Sequence, residues 1–146
     1  MSAKTIDTSI DIVAPASKVW EALTNPALTP KYMYGCEAIS DWKIGSPLIW
    51  KSVTDGIVYV TGTVKVFEPN RRLDYTVFDP HSTTMEDIPE NHLTMTFKLS
   101  EHDGNTHMEI TMGDFSTVAN GEARYEDSVK GGDSVWQVFK EVVEKG

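Results

Sequence analysis

The feature that most constrains this chain is a change of hydrophobic period towards its C-terminal end. Through Leu93, Met95, Phe97 and Leu99, and again through Met108, Ile110 and Met112, apolar residues take every second position, with Thr94, Thr96, Lys98, Glu109 and Thr111 between them. Side chains of a strand alternate between its two faces, so this pattern predicts half-buried strands. From Val118 the spacing lengthens. Tyr125, Val129, Gly132, Trp136, Phe139 and Val143 follow at steps of three and four, with polar Glu122 filling one place in the series and Val135, Val138 and Val142 widening the stripe. The spacing predicts one long amphipathic helix from about Asn120 to Lys145, with Asn120 as its N-cap. Such a stripe must be buried against the strands that precede it. Gly131 and Gly132 interrupt the helical pattern, each at a cost of about 1 kcal/mol relative to alanine. Glycine beside an apolar face leaves room there.

The rest of the chain supplies the partner for that helix. Ile6, Thr8, Ile10 and Ile12 alternate with Asp7, Ser9 and Asp11, a first strand. Ala14-Pro15 opens a helix carrying Val19, Trp20 and Leu23, with Pro15 expected at its first position, and Asn25-Pro26 ends it. A second short helix is expected over 27–34, broken by Pro30. Further strands are expected at 38–42, 48–53, 57–67 and 73–78, separated by turn signals at Gly45-Ser46-Pro47, Asp55-Gly56 and Glu68-Pro69-Asn70-Arg71. Residues 79–91 form a long polar loop with Pro80 and Pro89, expected either as a lid or as plain connection. The order is strand, two helices, six strands and a long helix. Consecutive strands with short turns make an antiparallel sheet with its helices on one face, an α+β domain. No repeat or linker divides it, so residues 1–146 read as one domain.

Charge excludes some partners. There are 13 Lys and Arg against 22 Asp and Glu in 146 residues, a net charge of −9. That balance disfavours nucleic-acid backbones and anionic membrane surfaces. No stretch is long and apolar enough to suggest membrane insertion, and the first residues lack a basic start followed by an apolar run. With a lone cysteine, Cys36, a cytoplasmic protein is expected. Cys36 itself reads as an ordinary small residue.

Catalytic and metal-binding motifs are missing. No H-E-x-x-H, G-x-S-x-G, Walker A, G-x-G-x-x-G or C-x-x-C pattern occurs. His81 and His92 bracket a loop with Glu86, Asp87 and Glu90, read as a solvated acidic segment, while His102 and His107 are expected at the surface. Glu109 should face outwards if Met108 faces in. Glu122 is either a first-turn glutamate or a residue at a cavity mouth. No catalytic residue, metal ligand or cofactor is assigned.

Several segments together resemble a known family. They are Ile12-Val13-Ala14-Pro15-Ala16-Ser17-Lys18-Val19-Trp20-Glu21-Ala22-Leu23-Thr24, Trp42-Lys43-Ile44-Gly45, the strand pair around Asp55-Gly56, the run from Gly62-Thr63-Val64-Lys65 through Glu68-Pro69-Asn70-Arg71-Arg72-Leu73, and Gly132-Asp133-Ser134-Val135-Trp136. In order and spacing the chain resembles the activator of Hsp90 ATPase homologue 1-like family of the START-like (Bet v 1-like, SRPBCC) superfamily, over essentially its whole length. The resemblance implies a helix-grip fold, a curved seven-stranded antiparallel sheet wrapped around a long C-terminal helix, with two short helices after the first strand. It also implies an apolar cavity between sheet and helix, used by many relatives for hydrophobic molecules. No counterpart of the extra N-terminal domain of eukaryotic Hsp90 activators is expected in these residues.

The apolar residues that should line that gap are Trp50, Tyr75, Met95, Phe97, Met108 and Ile110. Met112, Tyr125, Val129 and Trp136 complete the set. They read either as plain core or as the wall of a binding site, in which methionines adapt to varied shapes and Tyr75 and Tyr125 each offer a hydroxyl. Non-catalytic binding of a small hydrophobic molecule is the leading expectation. The alternatives are a protein-interaction domain for an Hsp90-type chaperone and a cavity-based cyclase or hydrolase.

Overall fold

The computed structural model describes residues 4–83, 85–131 and 134–145. Its seven strands are β1 (Ile6–Ile12), β2 (Cys36–Ser40), β3 (Pro47–Ser52), β4 (Val58–Glu68), β5 (Arg72–Val77), β6 (Leu93–His102) and β7 (Asn105–Gly113). They form one antiparallel sheet in the order β1-β7-β6-β5-β4-β3-β2. Only β1 departs from a simple meander, because α1 (Ala16–Thr24) and a single 3₁₀ turn (Thr29–Lys31) carry the chain across to the opposite edge.

Register shows which face is the core. One rung runs Ile6, Met112, Met95, Tyr75, Val64 and the next runs Thr8, Ile110, Phe97, Leu73, Phe67. The alternating residues Asp7, Ser9, Thr96, Lys98, Glu109 and Thr111 line a depression on the opposite face. Met108 is fully buried and Glu109 is exposed. β4 approaches β5 closely at Gly62, where a Cβ would overlap the Thr76 carbonyl.

Local chemistry accounts for the adjustments to the expected elements. Pro15 stands at the N-cap of α1, in extended backbone, and not at the first helical position. With no local side-chain cap, the free Ala16 N–H is satisfied from across the fold by Glu101 Oε1 at 2.6 Å. The helix expected over 27–34 is only the 3₁₀ turn, with Pro30 near its start. The strand expected at 38–42 lies at Cys36–Ser40, since Trp42 has φ 56° and donates its N–H to Ser40 Oγ at 3.0 Å, turning the chain. Cys36 is buried, and burial raises its thiol pKa.

The C-terminal helical stretch is described in two segments, α2 (Gly121–Gly131) and α3 (Ser134–Lys145). Gly132, expected on the apolar stripe, lies outside the described residues. Asn120 precedes α2 with a left-handed φ of 55°, unlike the extended backbone of a standard N-cap, and its carbonyl accepts the Arg124 N–H at 2.9 Å. α3 buries Trp136, Phe139 and Val143 in the core. Lys140 Nζ donates to the Asp11 carbonyl at 2.6 Å and Glu144 Oε2 accepts the Val13 N–H at 2.8 Å, fixing α3 to the end of β1. No described helix is long and apolar enough to cross a membrane.

Candidate functional site

The sequence-predicted residues divide into two groups between the sheet and the C-terminal helices. Trp50, Tyr75, Phe97, Met108, Ile110 and Trp136 are buried in one cluster. Their rings form a chain across the gap. Trp50 lies 5.9 Å from Tyr75, Tyr75 lies 5.7 Å from Phe97, and Phe97 meets Trp136 edge-on at 5.4 Å. Beyond it, Phe139 packs at 5.8 Å on Trp136 and at 4.8 Å on Tyr32. Edge and offset contacts at these separations are favourable aromatic geometry.

The remaining four are less enclosed. Met95 and Met112 face each other on one rung and are half-buried. Tyr125, on α2, meets Phe115 edge-on at 5.4 Å, and Lys4 Nζ sits 4.3 Å above its ring. Val129 is half-exposed, so the outer part of the expected stripe does not reach the core. Glu122 does not look into a cavity mouth. It is an exposed partner of Lys4 at 2.8 Å.

Two buried phenols illustrate what the gap lacks. The Tyr32 hydroxyl donates to the Ala22 carbonyl at 2.8 Å. Tyr75 is just as buried, yet burial alone drives its pKa upward and no hydrogen bond joins its hydroxyl to another described residue. The fully enclosed side-chain polar atom without a partner among the described residues is Thr61 Oγ1, so the Tyr75 hydroxyl oxygen is not sealed from its surroundings. Tyr75 shares its rung with Met95, Met112 and Ile6, at the half of the sheet over which α2 is tethered. The tethers are Lys4 to Glu122, and Arg124 Nη1 donating to the Asn91 carbonyl at 2.8 Å.

The loop 79–91 is tied to the start of α2 at its last residue, where Asn91 Oδ1 accepts the Ala119 N–H at 3.1 Å, while its earlier part lies on the other side of the sheet. Asp87 joins His92, Thr76, Thr63 and Lys65 around a cleft on the outer face, away from the helices, while His81 Nε2 lies 2.8 Å from the Val58 carbonyl. Sequence reasoning missed the cleft. His92 Nε2 lies 2.6 Å from Asp87 Oδ1 and its Nδ1 lies 3.3 Å from Thr76 Oγ1. The residues sit at 76, 87 and 92 with no motif spacing, and only the strand register brings them together. His102 is exposed, and His107 pairs with Asp11 at 2.7 Å on the surface. Among the described residues no three histidine, cysteine or acidic side chains converge as metal ligands.

Comparison with known proteins places these features. Residues 13–144 match the model of the activator of Hsp90 ATPase homolog 1-like protein family. The chain is similar to a solution structure from Cytophaga hutchinsonii, with 33% identity, coverage of 99% of this chain and 94% of that one, and a TM-score of 0.69. It is similar in fold to a crystal structure from Mesorhizobium loti, with 21% identity, coverage of 97% and 98%, and a TM-score of 0.76. The Bet v 1-like protein Ara h 8.0201 has 16% identity, coverage of 99% and 100%, and a TM-score of 0.68. The seven-stranded antiparallel sheet and C-terminal helices are therefore the helix-grip fold. No curated protein matches.

Proposed function

The chain belongs to the activator of Hsp90 ATPase homolog 1-like family, and from that premise we propose that it binds a small hydrophobic molecule without transforming it, between the sheet and α2. The observation that carries this reading is Tyr75, a buried phenol whose hydroxyl has no hydrogen-bond partner among the described residues. An apolar molecule with one polar atom would satisfy that hydroxyl. It would also cover Met95 and Met112, whose flexible thioethers adapt to varied shapes. The buried residues Trp50, Phe97, Met108, Ile110 and Trp136 would form the floor, and Tyr125 and Val129 the helical side. Binding would draw mainly on apolar area removed from water, at about 25 cal/mol per Å².

Native mass spectrometry of the gently purified chain, followed by denaturing extraction, tests this. A co-purifying molecule of defined mass that is lost in Tyr75→Phe is the expected result. A ligand retained at equal occupancy in Tyr75→Phe, or no capture from a panel of sterol, fatty-acyl and polyketide probes, would sink the assignment.

A second reading follows from the family itself, whose description is that of an Hsp90 ATPase activator. The chain would then contact an Hsp90-type chaperone through an exposed surface. Its acidic balance, a net charge of −9, would suit a basic patch on that partner. Stimulation of the chaperone's ATP hydrolysis by the purified chain is the expected outcome. No stimulation at saturating concentration would eliminate this reading.

A further inference from the structure

The outer-face cleft has an order of polar groups that a loop clamp does not need. Thr76 lies on β5, between Tyr75 and Val77 on the helix side, and turns its hydroxyl to the outer face. The Thr63 N–H donates to Thr76 Oγ1 at 2.9 Å. His92 Nδ1 stands 3.3 Å from the same oxygen, and His92 Nε2 stands 2.6 Å from Asp87 Oδ1. The imidazole lies flat against Phe78, 4.8 Å between centroids and 10° between planes, which fixes its orientation. The side chain of His92 is 14% exposed and that of Asp87 63%.

Proton bookkeeping gives this chain of groups a direction. An ionised carboxylate only accepts, so a neutral His92 must carry its proton on Nε2, facing Asp87. Nδ1 is then an acceptor, and the group that can donate to it is the Thr76 hydroxyl. Thr76 Oγ1 meanwhile accepts from the Thr63 N–H, a donor that would stabilise negative charge developing on that oxygen. This is the nucleophile, base and orienting carboxylate arrangement of covalent acyl transfer, recognised by roles and not by sequence order. A nucleophile–base distance slightly beyond ideal is common before substrate binds. The cleft these groups share, about 120 Å³, also contains Lys65.

We propose that Thr76, His92 and Asp87 form an acyl-transfer site for small activated carboxylic esters, separate from the apolar gap on the other face. His92 Nδ1 takes the Thr76 hydroxyl proton as Oγ1 bonds to the ester carbonyl carbon. The tetrahedral adduct collapses, the C–O bond to the alcohol breaks, and the alcohol leaves with the proton from Nδ1. The threonyl ester is then attacked by water, whose proton passes to Nδ1 and on to Thr76 Oγ1 as the carboxylic acid departs. The sum is ester plus water to acid plus alcohol. Asp87 stays ionised and steadies the imidazolium through Nε2–H. Lys65 supplies positive charge to the cleft in which the oxyanion forms.

The test uses p-nitrophenyl acetate with the intact chain, reading release of p-nitrophenolate and, by intact mass and peptide mapping, acetyl groups on the protein. One acetyl on Thr76 is expected, absent in Thr76→Val. The acylation rate should fall by about 100-fold or more in His92→Gln, with a smaller loss in Asp87→Asn, where a surface carboxylate is replaced with little risk to folding. His107→Gln, which alters another surface imidazole–carboxylate pair, should leave the rate unchanged and controls for adventitious imidazole catalysis. Acetylation confined to lysines, or equal rates in the parent chain, Asp87→Asn and Thr76→Val, would overturn the proposal.

Discussion

α2 and α3 continue one sequence pattern but meet the sheet in different ways. α3 drives Trp136, Phe139 and Val143 into the core, and Lys140 and Glu144 lock it to the end of β1. Among the described residues α2 contributes none to the core cluster, and its links are peripheral: Glu122 to Lys4, Arg124 to Asn91, Tyr125 to Phe115. The α3 half of the gap is filled by the protein's own rings. The α2 half leaves a half-buried methionine pair and a phenol without a hydrogen-bond partner among the described residues. One half of the gap thus supplies stability, and that frees the other to be less completely packed.

The sharpest way to break this comparison is to truncate one residue in each half. Phe139→Ala removes a fully buried ring packed on Tyr32 and Trp136 and should cost about 3–5 kcal/mol in a urea titration. Val129→Ala removes a half-exposed side chain and should change stability by no more than about 0.5 kcal/mol. Equal losses would show that α2 is as much part of the core as α3.

The two phenols give a finer contrast. Tyr32→Phe removes the hydroxyl that donates to the Ala22 carbonyl and leaves that acceptor unsatisfied, so a loss of about 1–2 kcal/mol is expected. Tyr75→Phe removes a hydroxyl with no partner among the described residues and should be neutral within about 0.5 kcal/mol in ligand-free protein. A large loss on Tyr75→Phe would mean that its hydroxyl is already satisfied. Amide hydrogen exchange reads the same contrast on the backbone. α2 should exchange faster than α3, because its tethers are few and polar. Matching protection in both segments would remove the distinction.

Much of this was legible in the sequence, for a physical reason. A strand's period of two is set by local geometry, so the phase that buries Met108 and exposes Glu109 follows once one face is apolar. The helix-period stripe likewise placed Trp136, Phe139 and Val143 in the core. The stripe did not reveal that its earlier part, around Tyr125 and Val129, stays near the surface, because a stripe identifies an apolar face without saying how closely it is covered. Glu122 was ambiguous on the same ground, and its pairing with Lys4 depends on a contact between residues far apart in sequence. The Thr76, His92 and Asp87 group was invisible. It depends on the β5–β6 register and on the path of a loop, neither of which has a periodic signature.

The smallest expected effect concerns how α3 is held at its far end. Glu144 accepts from Lys140 and from the Val13 N–H, and these bonds lower its pKa below the ordinary 4.5, the Lys140 bond most strongly. A carboxyl whose folded pKa is depressed stabilises the fold above its unfolded value, and that contribution is lost as pH falls through the folded value. Protection of the Val13 amide should therefore persist at neutral pH and decline as acid takes the solution below about 4.5, with Glu144→Gln showing the low-pH behaviour at every pH. α2 supplies the comparison, since the Arg124 bond to the Asn91 carbonyl involves no carboxylate and its contribution should be flat over the same range. If Val13 protection in the parent chain were equally flat, the Glu144 bond would not be what holds α3 to β1, and the Lys140 bond to the Asp11 carbonyl together with burial of Trp136, Phe139 and Val143 would account for the difference between the two helices.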